Sequence, residues 1–317
     1  MKIVILDAKT LGDDLDLGPL DSFGEVISYQ TTSPDETLER IQIADIIITN
    51  KVVINANMMA QTPKLRLICI AATGMNNVDL DAAKFQGIKV KNVAGYSTKS
   101  VVQHTFAMTL YLLEKMAYYD ATVKDMTWSN TGLFTDISHP FYEISGKKWG
   151  IIGFGAIGQE VANIATAFGA EVSYHSSSGK NLNHAYPHQN LEFILKDCDI
   201  ISIHAPLNDD TYNLINENNL PYIKEDAVLL NLGRGGIINE TDLAFELDRR
   251  KLYVGLDVLE QEPITLNNRL NEVKHKERLL ITPHIAWASI EARKKLLDGI
   301  VKNIHTFLQN DNRTLNA

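Results

Sequence analysis

Lys148-Trp149-Gly150-Ile151-Ile152-Gly153-Phe154-Gly155-Ala156-Ile157-Gly158 is an apolar run that breaks on a glycine turn and resumes with helical spacing. Past the turn, Val161, Ile164, Ala165 and Phe168 fall on one helical face, Gly169 supplies a stop, and Glu171-Val172-Ser173-Tyr174 reads as the next strand. One whole β-α-β unit is spelled out in this segment. Each glycine has its own task there: Gly153 permits the tight turn, Gly155 lets the backbone approach a pyrophosphate, and Gly158 lets the helix pack close on the strand. The helix start adds free N–H groups and a partial positive charge, both suited to a phosphate anion. The segment therefore predicts a dinucleotide site.

The same alternation extends in both directions. Short runs rich in Val and Ile at 3–6, 46–48, 67–70 and 88–90 read as strands before the turn. Runs at 149–154, 171–174, 200–204, 228–232, 254–258 and 279–282 form a second set. Runs this apolar on both faces suit parallel sheets covered by helices, so the class is α/β. Ser33-Pro34 marks one helix start, as an N-cap followed by a first-turn proline. Between the two sets lies 100–119, the longest apolar stretch with helical spacing, which predicts one buried helix capped by Ser100 and placed between domains. The polar, turn-rich segment 127–148 reads as a surface connector. From Ser289 on, Ile290, Leu296, Leu297, Ile300, Val301, Ile304 and Leu308 recur at helical steps; nothing in this pattern says on which domain that helix docks.

A length of 317 residues suits two domains. The formal net charge of −9 argues against a nucleic-acid partner, which calls for a basic face. No run approaches the ~18 apolar residues of a membrane span. The opening MKIVILD carries only four apolar residues in a row before Asp7, too few for a secretory leader. Cys69 and Cys198 both sit in apolar runs and read as buried free thiols of a reducing, cytoplasmic compartment.

A carboxylate is expected about 20 residues past the glycine turn, where it would hold the ribose hydroxyls of NAD. His175 stands there instead, followed by Ser176, Ser177, Ser178 and, two residues on, Lys180. An acidic residue would repel the 2′-phosphate of NADP, so its absence removes the usual selection for NAD. The serines and Lys180 could hold a phosphate, or form merely a polar loop. NAD and NADP both stay open.

Three later segments end predicted strands on chemically useful residues. Asn231-Leu232-Gly233-Arg234-Gly235-Gly236 sets an arginine among glycines, suited to a bidentate carboxylate clamp. Asp257, Glu260 and Glu262 follow the next strand, and His284 follows the last. Ligands of open parallel sheets sit outside the carboxyl ends of the strands, so these ends face one crevice. A histidine beside a carboxylate suits general acid–base work, the carboxylate raising the histidine's pKa.

GFGAIG, HAP, NLGRGG, GLDVLEQEP and TPHIAWAS, in that order and spacing, resemble the D-isomer-specific 2-hydroxyacid dehydrogenases. AATGMNNVDL and AGYSTKSVVQHT extend the resemblance over essentially the whole chain. It implies two doubly wound parallel-sheet domains, a Rossmann NAD(P)-binding domain (100–286) inserted into a flavodoxin-like substrate domain (1–99 with the returning helix 287–317), with the active site in the cleft. It implies a catalytic trio of Arg234, Glu262 and His284; Glu260 does not match its place in the motif. Thr73 and Gly74 would meet the substrate carboxylate, together with Arg234 and His284. The implied cofactor residues are Gly153, Gly155, Gly158, Ala156 and Ile157 at the pyrophosphate turn, His175, Ser176 and Ser177 at the ribose, and His204, Ala205 and Pro206 at the adenosine side. Leu232, Gly233, Ala286 and Asp257 complete the set. Asp257 would hold the nicotinamide carboxamide, or else brace Arg234 by a salt bridge.

The helix from Ser100 resembles the family's dimerisation element, which implies a homodimer. No metal enters this reading. AGYST and the tryptophan of PHIAWAS resemble the glycerate dehydrogenase (hydroxypyruvate reductase) branch, so hydroxypyruvate or glyoxylate leads as substrate. Trp287 and Tyr96, if they wall the pocket, favour a small one. Pyruvate or a branched or aromatic keto acid stays as an alternative, and so does an NAD-sensing regulator of the corepressor kind, which shares fold and trio.

Overall fold

The computed structural model describes residues 1–179 and 185–315, with side chains through 310. It divides into two compact units: Met1–Ser97 together with the chain from Ala288 onward, and Thr98–Trp287. These divisions stand beside the 99/100 and 286/287 boundaries read from the sequence.

The first unit holds a parallel sheet of β1 (Lys2–Ile5), β2 (Glu25–Ser28), β3 (Ile46–Thr49), β4 (Leu67–Ile70) and β5 (Lys89–Lys91), in the order β2-β1-β3-β4-β5. This is the doubly wound order of flavodoxin-like sheets. Every side chain of β3 and β4 is buried, which is why both read as unbroken apolar runs. Strand β2 does not figure among the predicted strands. It is an edge strand whose end residues Glu25 and Ser28 are exposed, so it carries little apolar signal.

Helices α1 (Pro34–Ile41), α2 (Ala56–Ala60) and α3 (Leu80–Phe85) join these strands. At the start of α1 the Ser33 N–H and hydroxyl both donate to the Glu36 carboxylate, at 3.0 and 2.8 Å, tying down the chain entry. The C-terminal helix, Ile290–Leu315, returns to this unit and packs on β4, burying Ala292, Leu296, Leu297, Ile300 and Ile304.

The second unit carries β6 (Lys148–Ile152), β7 (Glu171–His175), β8 (Ile200–Ile203), β9 (Val228–Asn231), β10 (Tyr253–Leu256) and β11 (Leu279–Ile281). They form a parallel sheet in the order β11-β10-β9-β8-β6-β7, and a parallel bridge from Tyr174 to His188 extends it beyond β7. The order reverses between β6 and β8, which is where such sheets bind ligands. Apolar clusters cover both faces; Trp149 is fully buried, and its indole N–H donates to Ser202 Oγ at 3.0 Å. The predicted strands run one or two residues too far at Phe154, His204, Leu232, Val258 and Thr282. Those residues are instead the loops beyond the carboxyl ends.

The long apolar stretch is two helices rather than one. α4 (Thr98–Leu113) packs on β9, β10 and on α6 (Ala156–Ala167) of its own unit. Lys115, at φ 55°, breaks the run before α5 (Met116–Lys124). Its ammonium lies 3.2 Å from the centre of the Tyr253 ring. Ser100 is not the cap, because α4 begins two residues earlier; its hydroxyl donates to the Ala286 carbonyl at 2.6 Å. Helices α7 (Leu191–Asp197) and α8 (Glu240–Arg249) complete the unit. The connector after α5 contains one short turn at Ser129–Thr131 and exposes most of its side chains.

Candidate active site

The turn after β6 meets the demands of a dinucleotide. Gly153 has φ +90°, and a Cβ there would collide with the backbone of His204 and Ala205, the residues that follow β8. A Cβ on Gly158 would strike the Gly153 carbonyl oxygen, so only glycine lets α6 lie this close to its strand. At Gly155 the added carbon would meet nothing within 4 Å, which leaves the helix start open on the side where a pyrophosphate would lie. Among the described residues no acceptor is placed on the Ala156 and Ile157 amides, and no acidic side chain occupies the first turn of α6. These features fit a bound dinucleotide phosphate.

Strand β7 ends on His175. Its Nδ1 lies 3.1 Å from the Gln189 carbonyl oxygen, which makes Nδ1 the protonated nitrogen and leaves Nε2 as an acceptor. Burial holds its pKa below the usual imidazole value, with the neighbouring His188 acting in the same direction. Ser176 is buried and Ser177 half-buried. Lys180, the sequence candidate for a phosphate contact, lies outside the described residues. Beyond β8, both ring nitrogens of His204 are enclosed with no hydrogen-bond partner among the described residues, and burial pushes its pKa down to about 3.

The three remaining loops follow β9, β10 and β11, which are neighbours in the sheet. After β9, the buried Asn231 side chain binds both ends of the arginine turn: its Oδ1 accepts from Gly233 N at 3.1 Å and its Nδ2 donates to the Arg234 carbonyl at 2.9 Å. Arg234 is exposed, and among the described residues its guanidinium donates to the Gly233 carbonyl alone, at 2.8 Å. Gly235 lies so close to the Leu259 carbonyl that no larger residue fits, which seats the arginine turn against the loop after β10.

In that loop Glu262 Oε1 accepts from Leu259 N at 3.0 Å, and Oε2 lies 2.7 Å from His284 Nδ1. The carboxylate fixes the proton on Nδ1 and leaves Nε2 to exchange protons with a ligand. Glu260 is engaged elsewhere, accepting from the Tyr212 hydroxyl at 3.0 Å. His284 itself adopts φ 54°, a left-handed conformation that a histidine rarely holds without support.

Asp257 supplies that support. It is 2 % exposed; Oδ1 accepts from Thr282 Oγ1 at 2.6 Å and from Ile285 N at 2.9 Å, while Oδ2 accepts from Ala286 N at 2.9 Å. It makes no ion pair with Arg234. Its carboxylate instead clamps the segment 282–286 on either side of His284. Asn231 and Thr282 stand in motifs that by themselves assign them no role. Their signal lies in residue type, a short polar side chain at or just past the carboxyl end of a strand, and it becomes specific only when the neighbouring loops are in view.

Leu232 and Ala286 are buried, Leu232 N donating to the Ile203 carbonyl at 3.2 Å. Pro206 accepts a hydrogen bond from the Thr211 hydroxyl at 2.7 Å, which braces the loop after β8. Thr73 and Gly74 lie in the first unit, just past β4; Asn92 Nδ2 donates to the Thr73 carbonyl at 2.6 Å.

Residues 106–286 match the family described as D-isomer specific 2-hydroxyacid dehydrogenase, NAD binding domain. A hydroxypyruvate reductase of Blautia hydrogenotrophica is 37% identical over 98% of this chain and 97% of its own. A glycerate dehydrogenase of Methylorubrum extorquens is 36% identical, over 97% of this chain and 96% of its own. Among solved structures, the TT0316 protein of Thermus thermophilus superimposes with a TM-score of 0.85 at 30% identity, covering 98% of this chain and 97% of that one.

Proposed function

Since this chain belongs to the D-isomer-specific 2-hydroxyacid dehydrogenases, we propose that it reduces hydroxypyruvate to the D-2-hydroxy acid, or glyoxylate to its achiral 2-hydroxy acid. The similarity to a hydroxypyruvate reductase and a glycerate dehydrogenase over nearly full length supports that choice of substrate. The observation that carries the chemistry is the 2.7 Å contact of His284 Nδ1 with Glu262, in a loop adjoining the arginine turn.

When bound, the nicotinamide cofactor supplies the hydride. Ala156 and Ile157 offer their amides to its pyrophosphate, while His175, Ser176 and Ser177 meet the adenosine ribose. Arg234 binds the keto acid's carboxylate and polarises the carbonyl oxygen. His284 gives its Nε2 proton to the oxygen as it becomes an alkoxide, and Glu262 offsets the positive charge the ring carries before that transfer. In the oxidative direction His284 takes the proton back.

The test is the absorbance change at the reduced-nicotinamide band with hydroxypyruvate, glyoxylate, pyruvate and a branched keto acid, each with NADH and NADPH. The expected result is a kcat/KM for hydroxypyruvate or glyoxylate well above the other two. Faster turnover of pyruvate or the branched acid would overturn the substrate. No turnover of any, with tight cofactor binding, would overturn the reaction.

The protein is further proposed to work as a cytoplasmic homodimer. Cys69 and Cys198 are buried and unpaired, as suits a reducing compartment. Leu133, Phe134 and Ile137 stand exposed on the connector and offer apolar surface for a second copy to cover. Among the described residues no helix is long and apolar enough to cross a membrane. Light scattering that gives the monomer mass would refute the dimer.

A further inference from the structure

His104, in the second unit, has no part in the scheme above. His104 lies on α4, and its Nε2 stands 3.1 Å from Thr282 Oγ1 and 3.6 Å from Asp257 Oδ1. The direction of this contact follows from the next one. Thr282 spends its single hydroxyl proton on Asp257 Oδ1, at 2.6 Å, so only lone pairs of Oγ1 remain to face the imidazole. His104 Nε2 must therefore carry a proton and donate it. The result is a directed chain, His104 Nε2–H to Thr282 Oγ1–H to Asp257 Oδ1. Asp257 in turn holds the amides of Ile285 and Ala286.

The chain connects a helix to a segment whose backbone is strained at His284. His284 sits at φ 54° with Thr282 anchored two positions before it and Ile285 and Ala286 anchored after it. All three anchors converge on one buried carboxylate. Helix α4 is packed on β9 and β10 and offers a rigid origin for the outermost hydrogen bond. With its proton held by Asp257, the Thr282 hydroxyl keeps its lone pairs for a donor, and the His104 N–H fixes it from that second side.

We propose that His104 is a positioning residue for proton transfer: through Thr282 and Asp257 it holds the 282–286 segment, and with it the imidazole of His284, in the working pose. This rests on the reading of His284 as the acid–base group.

The test uses His104→Phe, His104→Gln, Thr282→Val and the double variant His104→Phe/Thr282→Val in the full chain, with two independent readouts. Amide hydrogen exchange at Ile285 and Ala286 requires no turnover. It should quicken about fivefold in His104→Phe, which is what loss of one ordinary hydrogen bond allows, and at least as much in Thr282→Val, which loses both bonds of the hydroxyl. In His104→Gln, whose amide still donates, exchange should return to within about twofold of the parent.

In hydroxypyruvate reduction kcat should fall on the order of tenfold in either single variant, because a misplaced acid slows the proton step. KM for the keto acid and the dissociation constant for NADH should stay within about twofold. The double variant should be no slower than the singles, since both break one chain. Unchanged exchange at Ile285 and Ala286 in folded His104→Phe and Thr282→Val would overturn the proposal, as would multiplicative loss of kcat in the double variant. If the parent turns over no keto acid the proposed reaction fails, and the exchange rates still decide whether His104 holds the segment.

Discussion

His204 should make the second unit sensitive to acid. Its ring nitrogens are enclosed with no partner among the described residues and its pKa is pushed down to about 3, while an unfolded chain would hold it at 6.5. Between those values the unfolded chain binds a proton that the folded chain refuses. Stability contributed by the neutral ring is therefore complete above pH 6.5 and is lost progressively as the pH falls toward 3. At pH 5.0 the loss is 1.5 pKa intervals at 1.36 kcal/mol each, or about 2 kcal/mol. His204→Leu removes the titrating group and keeps the site apolar. The assay is urea unfolding followed by tryptophan fluorescence at pH 7.5 and 5.0. Trp128, Trp149 and Trp287 all lie in the second unit, so the signal reports that unit alone. Every other group titrates alike in the two proteins, so subtracting the variant's change from the parent's isolates His204. The parent should lose about 2 kcal/mol more than the variant over this interval. Equal losses, within about 0.5 kcal/mol, would mean that the folded ring accepts its proton at little cost, and the burial argument would fail.

Three further outcomes follow from the same geometry. Glu262→Gln keeps the size of the His284 partner and removes its charge, so kcat should drop on the order of 100-fold with NADH binding unchanged; a drop below about threefold would refute the pairing's role. Gly155→Ala and Gly158→Ala should fail differently. The first adds a methyl into open space and should melt like the parent while binding NADH more weakly. The second drives a methyl into the Gly153 carbonyl and should lower the fluorescence melting temperature of the second unit, by an amount worth about 1–3 kcal/mol. Equal stability of the two would contradict the close helix–strand contact. Burial pushes Cys69 up to about 12 and Cys198 up to about 11, so a thiol reagent at pH 8 should label neither in the native protein and both in urea; prompt labelling of either would show that its site opens in the native state.

What could be read from the sequence follows from how far each physical signal reaches along the chain. The parallel sheets were legible because both faces are covered, so the buried strands β3, β4 and β9 open on apolar runs and β8 is interrupted only by Ser202. Strand β2 was not, because its solvated edge makes Glu25 and Ser28 ordinary surface residues. The break at Lys115 carries no glycine or proline; the residue types from Leu112 to Tyr119 are those of a continuous helix. The glycine turn was legible as a pattern, because its three glycines fall within six positions between a strand and a helix; the steric demand on Gly158 is local, whereas the backbone that Gly153 must clear belongs to His204 and Ala205.

Asp257 shows where such reasoning stops. Two uses fit its residue type and place, a contact to the cofactor or a brace on Arg234. The protein groups that take its carboxylate are Thr282, Ile285 and Ala286, 25 to 29 positions away on the loop after the adjoining strand. His104 is 178 positions from Thr282. No periodicity or local spacing connects such residues; only the β9-β10-β11 register with α4 laid across β9 and β10 makes them neighbours. A motif can thus point to His284 as the proposed acid–base group, while the groups that hold it in a strained conformation depend on contacts the motif does not encode. Substitutions at Asp257, Thr282 and His104 should accordingly alter the ordering of 285–286, whereas substitution of Glu262 should alter the chemistry and leave that ordering intact.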